Sequence, residues 1–160
     1  MTTTGKWLGA LVGLGFFAAV QAQTVTVSDA WARATVQGQR ATGAFMKITA
    51  KDGARLVGAQ SPVAAVTEIH EMKMDRDVMK MSAIAGLDLP AGKTVELKPG
   101  GYHVMLMDLK QTLPKDSTVP LTLQFVDANG KPSQMEIKLP VSTVVPATMP
   151  SGHSHGEHKH

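Results

Sequence analysis

Turn signals divide this chain into runs too short for helices. They are Gln37-Gly38, Asp52-Gly53, Ser61-Pro62, "LPAGK" at 89–93, "KPGG" at 98–101 and Asn129-Gly130. Between them residues alternate in polarity with the period of a strand, and helix-period patterns are scarce. Candidate strands fall at 24–28, 31–36, 43–50, 54–60, 63–71, 78–84, 93–98, 102–109, 119–126 and 134–141. The expectation is an all-β domain, with strand spacing that suits a Greek-key sandwich or barrel. The clearest hairpin sets Leu121, Leu123 and Phe125 across the Asn-Gly turn from Met135, Ile137 and Leu139.

The two ends of the chain differ in character from the middle. "MTTTGKWLGALVGLGFFAAVQAQ" has one Lys, an apolar run from Trp7 to Val20 and small residues before Gln23. That order predicts a signal peptide over 1–22, cleaved after Ala22. The apolar run is too short to span a bilayer comfortably, and no membrane span is expected in the mature chain. With no Cys near the cleavage point, no lipid anchor is expected there. Residues 23–145 then form one domain. After Val145, "PATMPSGHSHGEHKH" is almost devoid of apolar residues, so 146–160 reads as a flexible His-rich tail.

Charge and cysteine usage narrow the function. The mature chain carries 15 basic and 13 acidic residues, a balance of +2, which argues against a nucleic-acid partner. There is no cysteine. An exported chain of this kind has no disulfide, and it offers no thiolate to a metal.

It offers imidazole and thioether instead. In "GGYHVMLMDLK" at 100–110, His103, Met105 and Met107 share one face, while Val104 and Leu106 supply the core on the other. His70, Met72 and Met74 repeat the pattern, followed after "DRD" by Met79 and Met81. A turn with its tip at 75–76 predicts that His70 faces Met81 and Met72 faces Met79. His103 and Met105 would close the site from a neighbouring strand. Any one Met is more often a gap-filler than a ligand, and Met46 and Met135 read as core beside Ile48 and Ile137. As a set, two imidazoles and two thioethers form a neutral, soft donor group. It suits copper(I) and suits zinc, magnesium or calcium poorly. Met72, Met74, Met79 and Met107 would form a collar that shields the ion and offers a soft landing surface.

The order His70, ten residues, Met81, twenty-one residues, His103, one residue, Met105 resembles the copper motif of the periplasmic copper chaperone (PCuAC) family. So do "DAWARAT" at 29–35, "ATGAFMKITA" at 41–50, "RLVGAQSPVAAVTEIHEM" at 55–72, "VMKMSAI" at 78–84, "LKPGGYHVMLMDLK" at 97–110 and "VPLTLQFVDANGK" at 119–131. The resemblance implies a cupredoxin-like β-sandwich and a copper(I) site of His70, Met81, His103 and Met105. It implies periplasmic delivery of copper to cytochrome c oxidase assembly, with a cytochrome c oxidase subunit or a Sco-type thiol protein as acceptor. Some relatives have a C-terminal extension that takes copper(II), which Met149, His153, His155, His158 and His160 resemble.

Rival functions fit less well. A blue-copper electron carrier needs a Cys ligand, and nothing resembles the acid-base set of an enzyme. An adhesive sandwich leaves the His/Met faces unexplained. Zinc or copper storage through the tail is the main alternative. Trp31 and Arg33 are read as a core indole and a strand-edge cation rather than a docking pair.

Overall fold

Alternation is carried through to the backbone. The structure, a computed structural model, describes residues 24–145. Residues 1–22, expected to be a signal peptide, and residues 146–160, the expected His-rich tail with Met149, His153, His155, His158 and His160, lie outside the described residues. Ten strands run in chain order: β1 (Val25–Arg33), β2 (Ala41–Ala50), β3 (Ala54–Gln60), β4 (Ala64–Asp75), β5 (Val78–Ala83), β6 (Leu87–Leu89), β7 (Thr94–Leu97), β8 (His103–Leu109), β9 (Thr118–Asp127) and β10 (Pro132–Ser142). No helix occurs among the described residues, and none there is long and apolar enough to cross a membrane.

Hydrogen-bonded neighbours follow the order β5-β4-β8-β2-β1-β10-β9-β3-β6, with β7 also on β2. All pairs are antiparallel except β1–β10, a short parallel seam at Ala32–Val141 and Arg33–Ser142. The path folds over at this seam into a sandwich. The alternate apolar residues meet inside it: Met46 and Ile48 from β2, Leu56 from β3, Val104 and Leu106 from β8, Leu121, Leu123 and Phe125 from β9, and Leu139 from β10. Met135 and Ile137 pack on its margin.

Three local features differ from the expected strands. The runs 24–28 and 31–36 are one strand, β1, with a bulge between Ser28 and Trp31. Asp29 takes a left-handed φ of 50° there, a conformation Asp tolerates, and its carboxylate pairs with Lys47 at 2.9 Å. Strand β6 was not expected, because three residues are too few to show a period, although Leu87 and Leu89 are buried around exposed Asp88.

The third feature is the β4–β5 hairpin. Its tip is Arg76-Asp77, both with left-handed φ (48° and 65°), so the pairing sets Met72 opposite Met81 and Met74 opposite Met79. This corrects the expected tip at 75–76: His70 faces Ala83, not Met81, and Met72 does not face Met79. Charge favours the expected register, which would have opposed Glu71 to Lys80. Turn geometry favours the observed one, since a two-residue loop of the favoured hand needs two left-handed residues and Asp77 accepts that conformation. Lys73 and Lys80 consequently oppose each other, and each finds its own acid, Glu71 and Asp75. A slip of two residues preserves every face.

Candidate metal centre

Strand pairing brings the two histidines together. His70 on β4 lies directly opposite His103 on β8, with Glu68 opposite Met105 and Val66 opposite Met107. The next strand sets Gly43 opposite Met105 and Ala41 opposite Met107. One face of β8 is therefore His103, Met105 and Met107, while Val104 and Leu106 behind them are fully buried. The imidazole and thioether face is not needed to fill the core.

Both rings are buried, His70 at 7% exposure and His103 at 6%, with centroids 5.7 Å apart. Each has one nitrogen committed. His70 Nε2 lies 2.8 Å from Glu68 Oε2. The carboxylate accepts, so in the neutral ring Nε2 carries the hydrogen and Nδ1 is a bare lone pair. Nδ1 is buried and has no hydrogen-bond partner. His103 shows the mirror arrangement: Nδ1 lies 3.1 Å from the Gly101 carbonyl oxygen, so Nδ1–H donates and Nε2 is the free nitrogen. Outer partners that fix tautomer and ring orientation in this way are typical of metal-binding histidines. A buried acceptor left without a donor is costly, and a cation is a partner that would satisfy it.

Gly101 is held in place by its turn. Lys98-Pro99-Gly100-Gly101 closes with Gly101 N–H donating to the Lys98 carbonyl at 3.0 Å. Pro fixes the second residue, and Gly100 takes the left-handed third position, φ 82°, that this turn requires. Burial holds the His103 imidazolium below the ordinary histidine range; the Gly101 carbonyl opposes this, and neighbouring His70 adds to it. Burial and the neighbouring ring both favour the neutral imidazole, the form able to bind a metal.

The ring pair sits at the end of an aromatic row. Trp31 lies 4.8 Å from Phe45, and Phe45 lies 6.3 Å from His103, between centroids. Gly43 permits this, because a side chain there would place its Cβ 2.8 Å from the Phe45 ring. Trp31 is core at 1% exposure, and the exposed Arg33 guanidinium lies 5.7 Å over Phe45. An open groove of about 270 Å³ beside the row is lined by Arg33, Phe45, Met72, Pro99, Gly100, His103 and Met105, among others.

The expected ligands are not equally placed. His70 and His103 share a rung. Met105 lies one rung toward the base of β4, beside Glu68, and Met81 lies one rung toward the hairpin tip, beside Met72. Met81 is 48% exposed, whereas half-buried Met72 lines the groove with His103 and Met105. Spacing in the sequence gives Met72 no place among the four ligands and points to neither Glu68 nor Phe45. Glu68 was legible in principle, since it stands two residues before His70 on the same strand face. Among the described residues no three His, Cys, Asp or Glu side chains form a group able to hold a metal ion. The side chains nearest the histidine pair along the same strand faces are the thioethers of Met72 and Met105 and the Glu68 carboxylate.

Comparison with known proteins places this fold. Residues 25–141 match the LpqE-like family, named for a lipoprotein. Lxx21020 of Leifsonia xyli subsp. xyli, also named as a lipoprotein, is 37% identical over 119 residues, 74% of this chain and 72% of that one. The solution structure of CuI-DR1885 from Deinococcus radiodurans is 31% identical, with a TM-score of 0.56 over 79% of this chain and 83% of that one. A copper-bound PCuAC domain from PmoF2 shares the fold at a TM-score of 0.61 and 21% identity, over 76% of this chain and 94% of that domain. The chain belongs to the LpqE-like family and shares the fold of the PCuAC domains.

Proposed function

We propose that this chain is an exported copper(I) metallochaperone. The observation that carries the reading is the buried His70–His103 rung, in which each ring has one nitrogen tied to an outer partner and the other left free. The solved copper(I) form of DR1885, similar to this chain at 31% identity, supports copper as the cargo.

The ion is held by His70 Nδ1, His103 Nε2 and the thioethers of Met105 and Met81, with Met72 beside Met81 on the groove wall. Thioethers bind copper(I) as neutral ligands and release no proton. A neutral donor set at the edge of the sandwich, beside the open groove, leaves the ion within reach of an acceptor that docks on the exposed hairpin. Residues 1–22 direct export to the periplasm, and residues 23–145 form the copper domain. The acceptor belongs to cytochrome c oxidase assembly, either an oxidase subunit or a Sco-type thiol protein. The tail, with Met149, His153, His155, His158 and His160, takes copper(II), which is harder and prefers imidazole.

Competition with a copper(I) chelator tests the core site. Met105→Leu and Met81→Leu keep apolar volume and remove sulfur, and both should fold normally and bind copper(I) more weakly. Unchanged affinity in both would remove the thioethers from the site. Deleting residues 147–160 should abolish most copper(II) binding and leave copper(I) binding in place. Full copper(II) stoichiometry without the tail would contradict the division.

A further inference from the structure

The distal half of the β4–β5 hairpin has two unlike faces. At its rungs one face carries Glu71, Lys73, Lys80 and Ser82, and the other carries Met72, Met74, Met79 and Met81. The second face is exposed: 65% for Met74, 44% for Met79 and 48% for Met81. In a two-residue hairpin the pair flanking the turn, here Asp75–Val78, is of the hydrogen-bonded kind. Alternate rungs follow, so Met74–Met79 and Met72–Met81 are both of the non-hydrogen-bonded kind, in which side chains approach closest. Opposed Cβ atoms in such pairs are about 4.5 Å apart, and successive rungs on one face are about 7 Å apart. Four thioethers, each on three rotatable bonds, thus occupy a patch small enough to converge on one ion.

We propose that this hairpin face is a second soft-metal position, in which Met74 and Met79, with the Met72–Met81 rung, bind a monovalent ion with a filled d shell such as copper(I) or silver(I). The position does not depend on the histidine rung for its ligands. All four donors are neutral and need no deprotonation, so binding there releases no proton and does not depend on pH. It is more exposed and has only weak donors, which makes it the looser of the two. The Met72–Met81 rung stands between Met74–Met79 and His70–His103. An ion therefore passes from one position to the other by exchanging one thioether at a time, with no change of oxidation state. Under the copper-carrier reading the outer position is the entry and exit of the inner one.

The test uses the full mature chain labelled with carbon-13 at the methionine methyls and titrated with silver(I), a redox-inert probe. NMR then reads each methionine separately from the tail imidazoles. The Met74 and Met79 methyls should shift together and saturate, while the buried Met46 methyl stays in place. The shifts should persist at about pH 5, below the ordinary histidine value. In Met74→Leu, a change on an exposed residue, the silver affinity reported by the Met79 methyl should fall at least about tenfold, the low end of what losing even a supporting partner costs a metal site. Stationary Met74 and Met79 methyls at saturating silver overturn the proposal. So does unchanged Met79 affinity in Met74→Leu. A response at Met74 and Met79 with none at Met105 leaves the outer position standing and removes the inner one.

Discussion

Two hairpins of this sandwich are built on the same alternation and end differently. In β9–β10, Leu121, Leu123 and Phe125 face the core, with Met135, Ile137 and Leu139 beside them. In β4–β5, Met74, Met79 and Met81 meet no core and remain in solvent, with Met72 half-buried beside the groove. Side-chain chemistry follows the difference: the covered hairpin uses mostly branched and aromatic side chains, whereas the two outer rungs of the uncovered one, Met72–Met81 and Met74–Met79, are thioethers. Alternation therefore announces a strand, and the choice of side chain announces what the face is for.

Stability should divide the two hairpins most sharply. Leu121→Ala or Leu123→Ala removes a fully buried side chain and should cost about 2–5 kcal/mol. Met74→Ala removes an exposed one and should stay within about 0.5 kcal/mol. Urea unfolding measures both. A Met74→Ala loss as large as that of Leu121→Ala would mean that the thioether face packs against something and that the contrast is false.

Metal affinity should show the reverse order. Met105→Leu should weaken copper(I) binding at least about tenfold, and Leu121→Val, which leaves the site untouched, should not change it. On the hairpin, Met72→Leu/Met81→Leu should lose more affinity than either single change, because that rung borders the histidine rung. Equal affinity in the double variant and the wild type would detach the hairpin from the site.

The faces were legible in the sequence and the register was not. A two-residue slip leaves His70, Met72, Met74, Met79 and Met81 on one face, so period-two reasoning is blind to it. Only the handedness of the turn decides, and it put Met72 rather than His70 across from Met81. The core was legible for the same reason as the faces: Val104 and Leu106 could only point opposite to His103 and Met105. Direct opposition of His70 and His103 was not, because β4 and β8 are far apart in sequence and pair through the fold alone. The nitrogen each ring offers was also out of reach, since it depends on the Glu68 carboxylate and on a carbonyl set by the Pro99-Gly100 turn.

A smaller effect concerns pH. The unfolded-state histidine titrates near about 6.5, and burial places folded His103 lower. Below that value the unfolded chain holds more protons than the folded one, so the metal-free protein loses stability as pH falls through about 6.5 and retains it fully above. The core of β9–β10 has no such group. Unfolding midpoints at about pH 7.5 and about pH 5.5 should differ more in the wild type than in His103→Asn. Identical pH sensitivity in the two would mean that burial of His103 has no such consequence.

The account rests on a mixed imidazole and thioether site. X-ray absorption at the copper edge of the full mature chain, reduced and loaded with one equivalent of copper(I), reads the donor atoms directly. Sulfur and imidazole nitrogen should both appear in the first shell, and the sulfur contribution should fall in Met105→Leu. A first shell of nitrogen or oxygen alone, with no sulfur in the wild type, would contradict it.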